Sequence, residues 1–375
     1  MIRPPSLPPA ALDRLLARGW YRMRQAMFTC RFMLRESGVY SVAWTRLPLA
    51  AHEPRRSHRR RLEKARRELH FEVGPLRLDA EREALYARYL EHVGGDRAAS
   101  LRETLFDEPV DPATLPVTMG PLDADGAPDP LGIGLFDTLE LAVRTHRGEL
   151  VGLSVFDRGE HALQSIIGVY DPAYARLGLG MATLLAEIEW GQAQGYGYHY
   201  SGYVVPGVSD FEYKREAGEL EFLDDDPRAG TGAWLPIAGL DPGRLPARRL
   251  HSRLDAVAEG LRAAEVPHRL RLHPPYRFVQ LNRLAATALG EPLFLEVGDT
   301  AGPMRLGVSY DVAEDVFHLD VYTRGRDLSR LFVDVEARGP LDPELRLLTR
   351  VASVGAEDSP ERMAALVKAV WRRGA

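Results

Sequence analysis

Cysteine is almost absent from this sequence: Cys30 stands alone among 375 residues. One thiol forms no disulfide within the chain and supplies no thiolate cage for zinc or an iron–sulfur cluster. No apolar run approaches the roughly 18 residues a membrane-spanning helix needs, so no membrane partner is expected. The first ten residues, MIRPPSLPPA, lack the apolar core of a secretion signal. A cytoplasmic location is the expectation, and the single cysteine suits a reducing compartment.

Acidic residues are scarce in one place only. Residues 1–67 hold 16 Lys+Arg against 4 Asp+Glu, whereas the other 308 hold 32 against 49. The net charge of −5 therefore conceals a basic segment on an acidic body, the pattern of a local polyanion contact. Its densest stretch, EPRRSHRRRLEKARREL at 53–69, has eight Lys/Arg between Arg55 and Arg67. Ser57 is positioned to cap a helix there, although Arg60 stands where a capping box would place an acid. Such a run serves as a solvated helix face or as a phosphate-binding surface. The near-absence of interleaved acids favours the second, with Arg55, Arg56, Arg59, Arg60 and Lys64 as nucleic-acid contacts.

The length suits two or three domains, and 45% hydrophobic with 27% charged residues is ordinary for a globular chain. A short helix is predicted over Leu12–Arg18, stopped by Gly19. Another spans Ala80–Val93, with Leu85, Tyr89 and either Tyr86 or Val93 inward. Asp107–Gly134 holds six prolines and reads as a loop. From Phe136 the pattern turns to β. Leu139, Leu141 and Val143 alternate with polar or small residues, Leu150–Phe156 is continuously apolar, and Leu163–Tyr170 makes a third strand.

Ile166–Lys214 organises the rest. A strand ends at Tyr170, Asp171-Pro172 opens a turn, and Gly178-Leu179-Gly180 leads into a helix. Leu177, Met181, Leu184, Leu185 and Ile188 form its apolar face. Gly195 and Gly197 stop it, and an aromatic strand follows over Tyr196–Val205. Free N–H groups at the Tyr170 strand end and at the Gly178–Gly180 helix start attract an anion or an oxyanion. On the aromatic strand, alternation sets Tyr198 and Tyr200 opposite His199 and Tyr203. Tyr203 and His199 are candidates for proton transfer and Tyr200 for stacking on a base, although strand aromatics and histidines also serve as core. Asp171 is a turn residue or a ligand for a substrate ammonium. Tyr213 and Lys214 follow a loop; Lys214 contacts a phosphate or carboxylate, or is an ordinary surface lysine. Glu187, inside the helix, is expected to be exposed.

The order strand, strand, strand, helix, strand around a glycine turn resembles the acyltransferase fold of the N-acetyltransferases. In that fold a basic residue or Gln precedes the first glycine by three places and helps bind the pyrophosphate of coenzyme A. Aligned on Gly178 and Gly180, that place falls on Ala175, with Arg176 one position off, which leaves room for a different acyl donor. Arg18-Gly19-Trp20-Tyr21-Arg22, the Ser57-centred basic helix, Gly152 with Asp157, Val169-Tyr170-Asp171-Pro172, Leu179-Gly180, Gly202-Tyr203 and Tyr213-Lys214 appear in order. As a set they resemble the aminoacyl-tRNA–protein transferases over roughly residues 12–223. That resemblance implies charged tRNA as donor and a protein or peptide amine as acceptor. Arginine or leucine would be transferred, with no cofactor beyond the aminoacyl-tRNA co-substrate. Many members carry paired cysteines near the N-terminus; here only Cys30 falls there, so no cluster or metal is expected. A coenzyme A-dependent N-acetyltransferase and a non-catalytic RNA-binding scaffold remain alternatives.

The expected fold is α+β: an acetyltransferase-like mixed sheet with flanking helices, plus a C-terminal α+β extension. The expected division is 1–106 (basic, helical), 107–223 (catalytic core) and 224–375 (extension). In the extension a helix is predicted over His251–Ala264, then strands over Pro292–Val297, Met304–Tyr310, Val316–Tyr322, Leu331–Ala337 and Leu345–Ser353. Asp311–Asp315 is a hairpin turn and Pro360–Trp371 a closing helix.

Overall fold

The computed structural model describes residues 7–35, 38–94, 97–106, 117–119, 136–224, 232–272, 291–298, 304–327 and 346–374. The chain opens with α1 (Pro9–Leu16), the hairpins β1 (Tyr21–Met23)–β2 (Ala26–Phe28) and β3 (Phe32–Arg35)–β4 (Gly38–Ser41), then β5 (Ala43–Pro48). Next come α2 (Arg56–Glu68), β6 (Leu69–Leu78), α3 (Ala80–Val93), α4 (Leu101–Leu105) and β7 (Val117–Met119). Then follow β8 (Thr138–Thr145), β9 (Leu150–Arg158), β10 (Ala162–Tyr170), α5 (Leu179–Ala193), β11 (Tyr198–Val204), α6 (Ser209–Glu212), β12 (Glu221–Asp224) and β13 (Ala233–Pro236). The remainder is α7 (Pro246–Ala263), β14 (His268–Leu272), β15 (Leu293–Val297), β16 (Met304–Asp311), β17 (Val316–Asp327), β18 (Arg346–Glu357) and α8 (Pro360–Gly374).

The chain divides into two compact units. The first comprises residues 1–29, 43–223 and 234–240, and holds a nine-stranded sheet in the order β13-β12-β5-β11-β10-β9-β8-β6-β7. The run from β8 to β11 has the predicted order, but the sheet also takes β5 and β6 from the N-terminal side of residue 106. β6 escapes a sequence reading because Gly74 and Pro75 interrupt it; both lie within the ladder to β8.

α5 crosses from β10 to β11 and makes that pair parallel, as a helical crossover must. Their pairing covers only Ala162–Gln164 against Tyr198–Tyr200. β10 then continues along β9, past a bulge between Ser165 and Ile167, while β11 follows β5 past an irregularity between His199 and Gly202. The two strands part where β10 approaches the glycine turn.

Met181 through Ile188 are all buried, because α5 has sheet on one side and α2 on another. Leu62 and Ala65 of α2 share a core with Leu185 and Ile188. The predicted helix Ala80–Val93 is observed as α3, with Leu85, Tyr86 and Tyr89 buried. The predicted cap at Ser57 is not observed: Arg55 is the N-cap, without a side-chain bond, and Ser57 lies inside the helix. α2 ends at Glu68 and β6 begins at Leu69, so no loop separates them.

On the opposite face α1 and the β1–β2 hairpin pack through Leu12, Leu16 and Met27 against Ala162 and Tyr200. Arg22 fastens the hairpin. Its guanidinium donates to Asp157 Oδ1 at 2.6 Å and Thr138 Oγ1 at 2.9 Å, and lies 4.2 Å from the Phe136 ring centre. Thr138, Asp157 and Gln164 are register neighbours across β8, β9 and β10, and all three are fully buried.

The second unit (30–42, 224–233, 241–375) has the β3–β4 hairpin and an antiparallel sheet β14-β15-β16-β17-β18. Leu250, Leu254, Val257 and Leu261 of α7 and Met363 and Val367 of α8 cover one side through Leu295, Val308, Phe317 and Leu319. α7 starts five residues before its predicted His251, because Pro246 occupies the first turn, where its missing N–H costs nothing. The turn between β16 and β17 falls at Asp311–Asp315 as predicted. The predicted strand Leu331–Ala337 lies outside the described residues, as does most of the predicted loop Asp107–Gly134. No helix among the described residues is long and apolar enough to cross a membrane.

Removing one partner of a buried ion pair strands the other charge, at about 3–5 kcal/mol. Both side chains of the Arg22–Asp157 pair are at most 1% exposed. Arg22→Ala is therefore expected to lower unfolding stability by that amount in urea titration. Arg22→Met with Asp157→Leu should lose less, and equal losses would show that the pair does not act as a unit.

Candidate functional site

The place where β10 and β11 separate is floored by a buried carboxylate. Glu187 of α5 is fully buried and accepts from Ser154 Oγ (2.8 Å), Ser165 Oγ (3.2 Å) and His199 Nε2 (3.1 Å). The expectation of an exposed Glu187 is thus overturned: the MATLLAEI segment is covered all round, leaving no solvent face for it. A carboxylate with three donors is tolerated in an interior where an unpartnered one is not. His199, expected as a proton-transfer group, is 1% exposed and bound to Glu187. It supports the cleft from behind rather than facing a substrate.

The wall on the β11 side depends on Gly202. Its φ of +96° is a left-handed conformation that favours glycine, and a Cβ there would lie 3.1 Å from Lys214 Nζ and 3.5 Å from Tyr21 Cζ. Lys214 Nζ also reaches the Tyr203 carbonyl at 3.4 Å and lies 5.5 and 5.9 Å from the Tyr203 and Phe211 ring centres. Burial among these groups lowers the Lys214 pKa to about 8. Tyr203 packs edge-on against Trp44, and Trp44 stacks on Tyr21. Burial, then the charges of Glu187 and Asp157, raise the Tyr21 hydroxyl well above its usual value. These two carboxylates lie on opposite faces of the sheet, so Tyr21 sits where both fields are felt.

The β10 side carries Tyr170, whose ring meets Tyr89 edge-on at 5.4 Å and flanks Gly180. Tyr213 is 48% exposed, and burial of its hydroxyl, then the neighbouring Tyr89, raise its pKa. Asp171 is a turn residue: Ala173 N and Arg88 Nε donate to it at 2.9 and 2.7 Å. Both oxygens are engaged, which leaves little capacity for a substrate ammonium. Tyr198 and Tyr200 face away from His199, as alternation predicts. Tyr198 stacks with Arg46, and Tyr200 packs on Trp234, 4% exposed. Tyr200 is accordingly core on the opposite face, not an open stacking platform.

Gly178 is left-handed (φ +62°) and starts α5 with no side-chain cap, so the first N–H groups of the helix remain available to an anion. Arg61 of α2 lies over it, within 3.6 Å of a Cβ built at Gly178, and Lys64 donates to the Arg176 carbonyl. Arg176 itself is paired with Glu68. Along α2, Arg56, Arg59 and Arg60 are exposed and have no ion pair among the described residues; Arg55 has a loose contact with Glu219 at 3.7 Å. The structure thus joins the predicted basic surface to the glycine turn through Arg61, which the sequence reading did not single out. Tyr21 and Trp44 were also missed as wall residues. Tyr21 had appeared only within a resemblance motif, and no local spacing connects either residue to Gly202.

Residues 81–224 match the family model described as "Arginine-tRNA-protein transferase, C terminus". Among curated proteins, the aspartate/glutamate leucyltransferase of Stenotrophomonas maltophilia (strain K279a) is 35% identical over 23% of this chain and 36% of its own. That of Xylella fastidiosa (strain M23) is 29% identical over 48% of this chain and 64% of its own. The chain thus spans about a third to just under two thirds of the length of these relatives. Among solved structures, L-PGS from Bacillus licheniformis aligns over 45% of this chain and 49% of its own, at 14% identity and a TM-score of 0.30.

Gly202→Ala is expected to push Lys214 Nζ and Tyr21 apart and to strain the strand at a positive φ, at a cost of about 1 kcal/mol or more. Its signature is a rise in the Lys214 pKa toward that of a solvated lysine, read by NMR of 15N-labelled lysine side chains. An unchanged titration near 8 would show that Gly202 does not hold the ammonium in place.

Proposed function

We propose that this chain, whose residues 81–224 match the arginine-tRNA-protein transferase family model, transfers an amino acid from charged tRNA to the amine of a protein or peptide. One observation carries the reading: α2, whose Arg56, Arg59 and Arg60 have no ion pair among the described residues, sets Arg61 and Lys64 against the uncapped α5 terminus, beside the cleft. Nucleic acid is held by exposed cations and helix N-termini, and an acyl group needs a sheltered polar cleft. Here the two adjoin. The fold supports an acetyltransferase-type reading, because α5 enters through a glycine turn and the strands it connects part beside that turn. Ala175 and the engaged Arg176 argue against a coenzyme A pyrophosphate there.

In this reading the exposed arginines of α2 neutralise acceptor-stem phosphates, and Arg61 with the α5 terminus takes a phosphate near the 3′ end. The aminoacyl ester enters between Tyr170 and Gly202. The acceptor amine attacks the ester carbonyl, forming the C–N bond as the C–O bond to the ribose breaks. Tyr21, kept protonated by burial and by the neighbouring carboxylates, donates a hydrogen bond to the developing oxyanion. Lys214 accepts the proton lost by the attacking amine and returns it to the leaving ribose oxygen, which departs as a hydroxyl. Tyr203 and Tyr213 line the approach. Positioning supplies most of the acceleration, because the ester is already activated. The reaction needs no cofactor beyond its co-substrate. Leucine is favoured over arginine, and an acceptor beginning with Asp or Glu over others, by the names of the curated relatives.

Labelled leucine should pass from leucyl-tRNA to an Asp- or Glu-initiated peptide without acetyl-CoA. Acetylation that is indifferent to tRNA would replace this reading with the coenzyme A alternative, and RNA binding without transfer to any peptide would leave a scaffold. Arg59→Glu with Arg60→Glu should weaken tRNA binding and reduce the slope of log affinity against log salt by about two. With Lys214 as proton acceptor, the transfer rate rises with pH through about 8. The acceptor amine titrates in the same range, so the deciding case is Lys214→Met. A slower rate that keeps the full pH dependence would assign the rise to the acceptor and remove Lys214 from proton transfer.

A further inference from the structure

The ladder between β10 and β11 ends at Gln164 and Tyr200; its next rung would have joined Ser165 to Ser201. In each strand the last residue in register before the irregularity is one that donates to Glu187. Ser165 pairs with Phe156 of β9 just before the β10 bulge, and His199 pairs with Leu47 of β5 just before β11 loses register. Ser165 Oγ donates to Glu187 Oε2 at 3.2 Å, and His199 Nε2 to Oε1 at 3.1 Å. Ser154 of β9, the register partner of Gly168 beyond the bulge, donates to Oε2 at 2.8 Å. One carboxylate on α5 therefore spans three adjacent strands at the point where two of them separate.

Packing alone does not call for a carboxylate there. Leu184, Leu185 and Ile188 beside it in α5 are buried, and replacing buried charged groups by apolar ones of similar volume is often neutral or stabilising. What an apolar side chain cannot do is hold two strands at a set spacing with no ladder between them. Directional hydrogen bonds to the two oxygens of one rigid carboxylate do so. The strands held in this way carry both walls of the cleft. Tyr170 ends β10, while Gly202 and Tyr203, with Lys214 against them, follow His199 on β11.

We propose that Glu187 is a positioning residue for aminoacyl transfer: fully buried, it touches no substrate, and by gripping β10 and β11 from α5 it sets the distance between the Tyr170 wall and the Gly202–Lys214 wall. The proposal rests on the reading of the cleft as the transfer site and names the part that fixes its width. A misplacement of about 1 Å at a reacting centre costs about a hundredfold in rate. The effect therefore belongs in kcat and not in the affinity for RNA, which α2 supplies.

The test compares Glu187→Gln with Glu187→Leu in the full chain. Glutamine keeps the length and the bonds: its oxygen accepts from one side, and the serine hydroxyls rotate, or His199 changes tautomer, to accept from its amide. Leucine removes them. With leucyl-tRNA and an Asp-initiated peptide, Glu187→Gln is expected to keep kcat within about threefold, and Glu187→Leu to lose about a hundredfold in kcat with the KM for charged tRNA unchanged. Hydrogen exchange read by mass spectrometry should accelerate over residues 165–170 and 199–204 of Glu187→Leu, while β6 and β8 keep their protection. Should Glu187→Leu fail to fold, Ser165→Ala and Ser165→Thr take its place: loss of kcat in the first and recovery in the second, which keeps the hydroxyl, are expected, and equal kcat in the two overturns the proposal. Equal losses in Glu187→Gln and Glu187→Leu assign the effect to the missing charge, felt at Tyr21, and overturn it too. A Glu187→Leu chain that transfers at the full rate, or exchanges unchanged over those residues, overturns this proposal alone. Absence of transfer by the unsubstituted chain from any charged tRNA overturns the proposed function together with it.

Discussion

Two parallel strands that share only three residue pairs set the terms for everything around them. Had β10 and β11 stayed together to their ends, their backbone groups would have closed on one another and left a continuous sheet. Because they part after Gln164 and Tyr200, an edge-lined opening forms inside the sheet, where residues from both faces meet. The cause is local. β10 bulges after Ser165, β11 turns through the left-handed Gly202, and each finds its remaining partners on the outer side. α5 enforces the arrangement by joining the two strands across one face.

The electrostatics follow from that opening. Glu187 and Asp157 are buried on opposite sides of the sheet, each stabilised by dedicated donors: two serines and a histidine for one, Thr138 and Arg22 for the other. Their fields overlap at Tyr21, whose proton is retained, while Lys214 a short distance away is pushed toward losing its own. Burial alone pushes the Lys214 ammonium toward its neutral form, whereas burial together with the two carboxylates keeps the Tyr21 hydroxyl protonated, so two oppositely poised groups share one wall. The same burial explains why His199, chemically the more familiar acid–base group, sits in a supporting position.

Much of this was legible in the chain as letters. The strand order, the glycine turn and the α3 boundaries follow from apolar period and from Gly and Pro placement, which are local properties. The α2 surface was visible as a charge run, because one-signed arginine sequences have few structural uses. What stayed hidden was long-range. Arg22 and Asp157 each stood in a recognisable motif, yet 135 residues separate them and no periodicity relates them. Glu187 looked solvent-facing because helical periodicity finds one apolar stripe and cannot tell that a helix is wrapped on all sides. Tyr21 and Trp44 reach Gly202 only because a hairpin folds back over the sheet, and β6 was masked by Gly74 and Pro75.

The direct passage from Glu68 into Leu69 has a mechanical consequence. With no intervening coil, the arginine-bearing helix cannot swivel: it inherits its bearing from the strand that continues it, and that strand is hydrogen-bonded to β8 from Leu69 to Pro75. The basic surface therefore behaves as a fixed gauge rather than a flexible arm. In the proposed reading, a polyanion laid along it would reach the cleft in a preset register, and a partner whose reactive end is one step too short or too long would be rejected by geometry before chemistry begins.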